Sequence, residues 1–245
     1  MIKEALQYIV GLKEPVIQEI NGDVYSDKPL NRIDTYYPKA TALYMSNLSS
    51  LIAYLKSAPD DLPDKMIIQV VSPAEVRLYS GLDDLRDREN LVVVNAQIPR
   101  FDYERFIDHE VFCIAVQAKF VNDPDTDKTL LLKFAGTVES GTVAQYGDDG
   151  VSQKATVKTG IASKADAVVP NPVTLRPFRT FPEVEQPVSS FIFRMKESGG
   201  ISCALFEADG GAWKNEAMNN VCGYLEKTLH DVLSPEEFNR FTFIS

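Results

Sequence analysis

Apolar residues recur at helical spacing from the first residues of the chain, where Ile2, Ala5, Leu6, Ile9 and Val10 predict a short helix that Gly11 is placed to end. PVIQEI and DVYS flank Asn21-Gly22, a pair that accepts the positive dihedrals of a type I′ turn, so this stretch predicts a hairpin. In NLSSLIAYLKS, Leu48, Leu51, Ile52 and Leu55 form one stripe, with Ser46 as its expected N-cap and Pro59 just beyond its end. The period then changes. KMIIQVV, AEVRLYS and NLVVVNAQI are β-branched runs separated by turn residues, and they predict an antiparallel sheet beside that helix.

Asp102 is placed to cap a longer helix, because Tyr103, Phe106, Ile107, Val111, Ile114, Ala115, Ala118 and Val121 keep a period of 3.6, although VFCIAV alone also suits a strand. After residues 122–127 the pattern reads as strands: TLLLKFAGTV, TVAQY, VSQKATVKTG, VTLRPF, VSSFIFRM and ISCALFEA, broken by glycine-containing turns. Asp209-Gly210-Gly211 leads into a helix through Trp213, Ala217, Val221, Tyr224, Leu225, Thr228 and Val232. Ser234-Pro235-Glu236-Glu237 is a capping box before a final FTFI run. The expected class is α+β: a mixed helix and sheet half over 1–127, then an antiparallel β-rich half with a C-terminal helix over 128–245, which could also pack as one domain.

Composition leaves this picture intact. A 245-residue chain with 44% hydrophobic and 24% charged residues can build its core without disulfides or metal, and no apolar run approaches the ~20 residues that cross a bilayer. The start lacks a basic leader and a cleavage site, so a cytoplasmic protein with no membrane partner is expected. Cys113, Cys203 and Cys222 stand singly in apolar surroundings, which fits reduced, inert residues.

Charge changes the picture more. The net charge of -10 argues against bulk attraction to nucleic acid, yet Val151 to Arg179 holds Lys154, Lys158, Lys164, Arg176 and Arg179 against Asp166, a local balance of five minus one, or +4. In a strand, Lys154, Thr156 and Lys158 share one face. The island adjoins Val168 to Met195, which packs five of fourteen prolines and sets Arg176, Arg179 and Arg194 among Phe178, Phe181, Phe191 and Phe193. Arginines among aromatics and prolines suit a subunit interface or an anionic or planar ligand. Lys154, Lys158, Arg176, Phe178, Arg179, Phe181 and Arg194 are therefore the candidate binding or interface residues.

Candidate catalytic and metal constellations are thinner. Asp108, His109 and Glu110 are helical neighbours that point in different directions, which fits a solvated polar face. Asp123, Asp125 and Asp127 match the first calcium-loop ligands, but Lys128 stands where glycine is required and Phe134 where the closing glutamate belongs, so an acidic turn is expected. Glu183 with Glu185, and Glu207 with Asp209, could furnish paired carboxylates, and Gly210-Gly211 sits at a strand-to-helix turn of the kind that cradles phosphate. None of these converges with a partner set. No catalytic residue, metal or cofactor is expected, and the chain is expected not to be an enzyme.

Asp149-Gly150 before a strand, Lys158-Thr159-Gly160-Ile161, Val169-Pro170, Leu175-Arg176-Pro177-Phe178, the strand ending Phe193-Arg194 and the NLSSLIAYLKS helix together resemble the YfdQ-like family of prophage-encoded proteins. The match is best over about 149–207, and the region before Ser46 departs from the pattern. The resemblance implies phage origin, a cytoplasmic setting and self-association, and it implies no active site. The resulting expectation is a non-enzymatic homo-oligomer that binds a partner or a ligand, a host or phage macromolecule being one such partner and countering a host defence one such role. Alternatives are a single-strand nucleic-acid accessory factor of phage recombination or replication using Lys154, Lys158, Lys164 and Arg176, or a self-assembling shell or virion component.

Overall fold

The computed structural model describes residues 2–11, 15–20, 23–28, 39–138, 144–145, 153–158, 164–168, 170–197 and 199–245. The architecture is α+β. It divides into two compact units, Met1–Lys39 and Ala40–Ser245.

The first unit holds helix α1 (Ile2–Gly11) and the hairpin strands β1 (Ile17–Ile20) and β2 (Asp23–Ser26). Pairing runs from Ile17↔Ser26 to Ile20↔Asp23, which leaves the two residues of the expected Asn-Gly turn between the strands; those two lie outside the described residues. Asp27 closes the open end, its carboxylate accepting from Val16 N at 2.7 Å. Every residue of α1, β1 and β2 is exposed.

The second unit opens with β3 (Leu43–Met45), α2 (Leu48–Ser57), β4 (Met66–Ser72), β5 (Glu75–Ser80) and β6 (Asn90–Asn95). The stripe Leu48, Leu51, Ile52 and Leu55 is buried as expected. Its N-cap is Asn47, not Ser46: Asn47 is extended, and its side chain accepts from Ser50 N at 2.8 Å. Ala58, in the left-handed region at φ 41°, ends the helix by donating its N–H to Tyr54 O before Pro59.

Next come β7 (Ile107–Asp108), α3 (His109–Lys119), α4 (Lys128–Thr137), β8 (Ala144–Gln145), β9 (Gln153–Lys158) and β10 (Lys164–Val168). Two expectations are corrected here. The helix expected from Asp102 starts only at His109, because Glu104 adopts φ 62° and gives its N–H to Leu205 O at 2.8 Å, tying the chain to a strand; Asp108 then caps through Glu110 N and Val111 N. TLLLKFAGTV is not a strand but α4. It buries Lys128, Leu131, Phe134 and Ala135, a spacing that only a helix turns to one side.

The chain continues through β11 (Val173–Leu175), β12 (Ser189–Glu197), β13 (Ile201–Glu207), α5 (Trp213–Val232), α6 (Pro235–Phe238) and β14 (Phe241–Ile244). The capping box at Ser234 and Glu237 forms as expected.

Two apolar cores result. The first lies between the sheet β14-β4-β5-β6-β3 and the helices α2 and α5; β4, β5 and β6 are antiparallel as expected, while β14 and β3 join β4 and β6 in parallel. The second fills the space between the sheet β11-β12-β13-β7 and the helices α3 and α4. The open edge of β11 is closed by Asp127, whose carboxylate accepts from Thr174 N at 2.7 Å and whose N–H returns to Thr174 O at 2.8 Å. A division at 127/128 does not separate these cores. Strand β14 pairs with β4, α5 packs on β4, and α3 packs on α4 and β13, so the two expected halves interleave within one unit.

Candidate functional site

The proline-rich stretch joins the two cores. Strands β11 and β12 bury Val173, Leu175, Phe191, Phe193 and Met195 in the second core, while Phe181 and Val184, on the turn between them, enter the first. Gln186 shapes that turn: its Oε1 accepts from Arg179 N and Thr180 N at 2.8 and 3.1 Å, and its Nε2 donates to Phe181 O at 2.9 Å. A buried glutamine thus satisfies the amides that no strand pairs.

Arg179 sits at this junction, only 7% exposed. One terminal nitrogen donates to Glu207 Oε1 at 2.6 Å and the other to the Ser189 hydroxyl. The guanidinium lies 4.0 Å from the Trp213 ring centroid and 5.5 Å from that of Phe191, and Tyr103 in turn stacks on Phe191 at 5.6 Å. Burial lowers the Arg179 pKa, opposed by the nearby Tyr103, Glu207 and Asp209; burial likewise pushes the Tyr103 hydroxyl well up. The arginine is held as a cation inside the protein's own packing by a carboxylate, a hydroxyl and two π faces.

The other candidates separate from it. Arg176 bridges Asp123 at 3.2 Å and Glu185 at 3.3 Å. Phe178 is half-buried and donates its N–H to Lys119 O, whereas Phe181 is wholly buried. Arg194 is half-buried on β12, in register with Ala204, and its side chain is engaged. Lys154 and Lys158 lie on β9, the middle strand of the sheet β10-β9-β8; Lys158 is the register partner of Lys164, and Lys154 that of Val168 and Ala144. Arg176, Phe178, Arg179 and Phe181 thus lie along the seam that joins the two cores, whereas Lys154 and Lys158 belong to a separate three-stranded sheet. Glu207, Ser189, Trp213 and Gln186 complete the Arg179 cluster, and no local pattern in the sequence marks them as its partners. The one available signal is that the single tryptophan follows Asp209-Gly210-Gly211 at the start of a helix.

The carboxylates weighed for chemistry are each engaged. Glu183 Oε1 accepts from Leu48 N at 2.9 Å and Ser49 N at 3.2 Å, a second cap on α2 beside Asn47. Glu185 and Asp123 hold Arg176, and Glu207 holds Arg179. Asp209 Oδ1 accepts from Gly211 N at 3.0 Å, so a carboxylate occupies the amide that a phosphate would need. Asp123 also accepts from Asp125 N, which makes the aspartate run an acidic turn. His109 Nδ1 lies 3.8 Å from Asp108, the residue that caps α3. Among the described residues no group of three or more histidine, cysteine or acidic side chains could hold a metal ion.

A shallow groove of about 590 Å³ opens where the parallel strands β3 and β6 end beside the first turn of α2. Tyr44, Ser46, Ser50, Asn95 and Gln97 line it, all uncharged. Among the described residues no helix is long and apolar enough to cross a membrane. No family model matches this chain, and neither the curated proteins nor the solved structures contain a match to it.

Proposed function

We propose that this chain is a non-enzymatic, phage-encoded protein that works as a homo-oligomer and binds a macromolecular partner, and that residues 2–28 drive its self-association. One observation carries the reading. Among the described residues, ten of the twenty large apolar side chains that stand exposed fall within residues 2–25, including Ile2 at 81%, Leu6 at 57%, Val24 at 69% and Tyr25 at 53%. A ten-residue helix and a lone two-stranded hairpin are each marginal in water. A second copy offers the same helix stripe and the same hairpin, so the pair can cover one another with no further sequence.

The non-enzymatic part is supported by the structural engagement of Glu183, Glu185, Glu207 and Asp209 described above. The phage setting rests on the resemblance within 149–207. Light scattering on the purified 27.3 kDa chain tests the reading. A mass of two or more copies at micromolar concentration is expected, and Leu6→Glu with Ile9→Glu lowers it while the cooperative melting transition of residues 40–245 is kept. A monomer in the unsubstituted chain overturns the proposal.

A further inference from the structure

Strands β3 and β6 run in parallel and end side by side, Met45 in register with Val94, so the residues that follow them leave the sheet at one corner. Met45 packs on the first core, and Tyr44 beside it stands outward, 77% exposed. Ala96 fixes the end of β6 by donating its N–H to Ala74 O at 2.8 Å. The groove of about 590 Å³ at this corner has a size typical of small-molecule sites.

The chemistry of its lining is selective. Tyr44, Ser46, Ser50, Asn95 and Gln97 bring three hydroxyls and two carboxamides, and no charged side chain lines the groove. None of these five side chains makes a hydrogen bond among the described residues. Elsewhere in the chain, polar side chains at element ends are engaged by the protein's own backbone, as those of Asn47, Asp108 and Ser234 are. Hydroxyls and carboxamides both donate and accept, so they match a ligand whose groups do the same. An anion is disfavoured, because the first amides of α2 are already taken: Leu48 N and Ser49 N by the Glu183 carboxylate, and Ser50 N by Asn47. A cation finds no carboxylate in the lining. The outward Tyr44 ring adds a flat apolar face of the kind on which the C–H groups of a sugar ring pack.

We propose that this groove binds a neutral carbohydrate, Tyr44 packing on the apolar face of one sugar ring while Ser46, Ser50, Asn95 and Gln97 hydrogen-bond its hydroxyls. The site uses neither residues 2–28 nor the Arg179 cluster, so it stands or falls apart from the self-association proposed above.

Saturation-transfer NMR on the full chain tests this with three uncharged probes, maltotriose, cellotriose and triacetylchitotriose. Inorganic phosphate, followed by the width of its phosphorus line, is the charged control. Transfer to at least one sugar is expected, strongest on ring C–H protons, with a dissociation constant of about 1 mM, as suits a shallow site. Tyr44→Phe should keep the signal and Tyr44→Ala lose it. Asn95→Ala with Gln97→Ala should weaken binding about tenfold. All three positions are exposed, so the cooperative melting transition is expected to be kept in each variant. Binding should be unchanged by Leu6→Glu with Ile9→Glu, whatever those substitutions do to the mass. Absence of transfer to all three sugars overturns the proposal. Transfer that survives undiminished in both Tyr44→Ala and the Asn95→Ala, Gln97→Ala variant overturns the placement in this groove. Broadening of the phosphate line that these substitutions abolish, without sugar binding, overturns the neutral class of ligand.

Discussion

Replacing Arg179 with alanine tests whether the seam between the cores depends on one buried cation. The change removes the partner of Glu207 and Ser189 and empties the space between the Trp213 and Phe191 rings. Breaking a buried pair by deleting one member costs about 3–5 kcal/mol. Glu207 is 30% exposed, so its freed carboxylate takes up water, which favours the lower end; the cavity beside Trp213 adds to the cost. About 3 kcal/mol is therefore expected, from a total that is on the order of 5–15 kcal/mol for a folded domain. At about 2–4 °C per kcal/mol for a chain of this size, the melting temperature should fall by roughly 6–12 °C. Urea denaturation followed by circular dichroism measures the same quantity independently. Arg179→Met, which keeps volume between the rings, should cost less than alanine. The double variant with Glu207→Gln should cost less than the sum of its singles, because both remove one pair. An Arg179→Ala protein within about 0.5 kcal/mol of the parent would refute this account of the seam. Loss of assembly on changing Arg179 would accordingly arrive with loss of folded signal, not as a clean dissociation.

Single titratable groups carry two more tests. The Cys203 thiol is fully buried and pushed up to about 12 by burial, with Cys113 and Asp108 adding to the shift, so at pH 8 it should be the slowest of the three cysteines to react with a thiol reagent and should react freely only in denaturant; rapid labelling of Cys203 in the folded protein would contradict its placement. The Glu237 carboxylate is held below its ordinary 4.5 by hydrogen bonds from the Ser234 backbone and hydroxyl, so its folded value lies below its unfolded one, and its contribution to stability is complete above about pH 4.5 and is lost as pH falls through the folded value. Glu237→Gln should flatten the stability profile of the parent only in that acidic window, and a difference that persists unchanged through the window would count against the capping box.

Legibility in the sequence follows the range of the interactions. Helix α2, the meander β4 to β6, the capping box and strands β12 and β13 all follow from spacing and from turn or cap residues within a few positions, and the structure has each of them where the pattern puts it. Helix α4 reads as a strand because the run Leu130, Leu131, Leu132 fits either period; what decides it is which side faces the core, and that is set by α3 and β11. The start of α3 is obscured because Tyr103, Phe106 and Ile107 continue the helical spacing, while the bond from Glu104 N to Leu205 O joins residues about a hundred positions apart. The arginines are visible as unusual, but their partners are not. Arg179 meets Glu207 across 28 positions, and an arginine among aromatics reads the same whether it faces a neighbour or its own core.

Strand β14 pairs in parallel with β4, Phe241 beside Met66, a separation of 175 positions. During synthesis at roughly 5–20 residues per second, β4 therefore waits on the order of 9–35 s for the strand that covers its edge. Over that interval the backbone of Met66 to Ser72, an alternating apolar strand, presents unpaired donors and acceptors to any other extended chain nearby. The vulnerable period for this protein is thus set by translation time rather than by its final stability, and slow ribosomes or crowded polysomes should lower the yield of soluble chain more than a small loss of stability does.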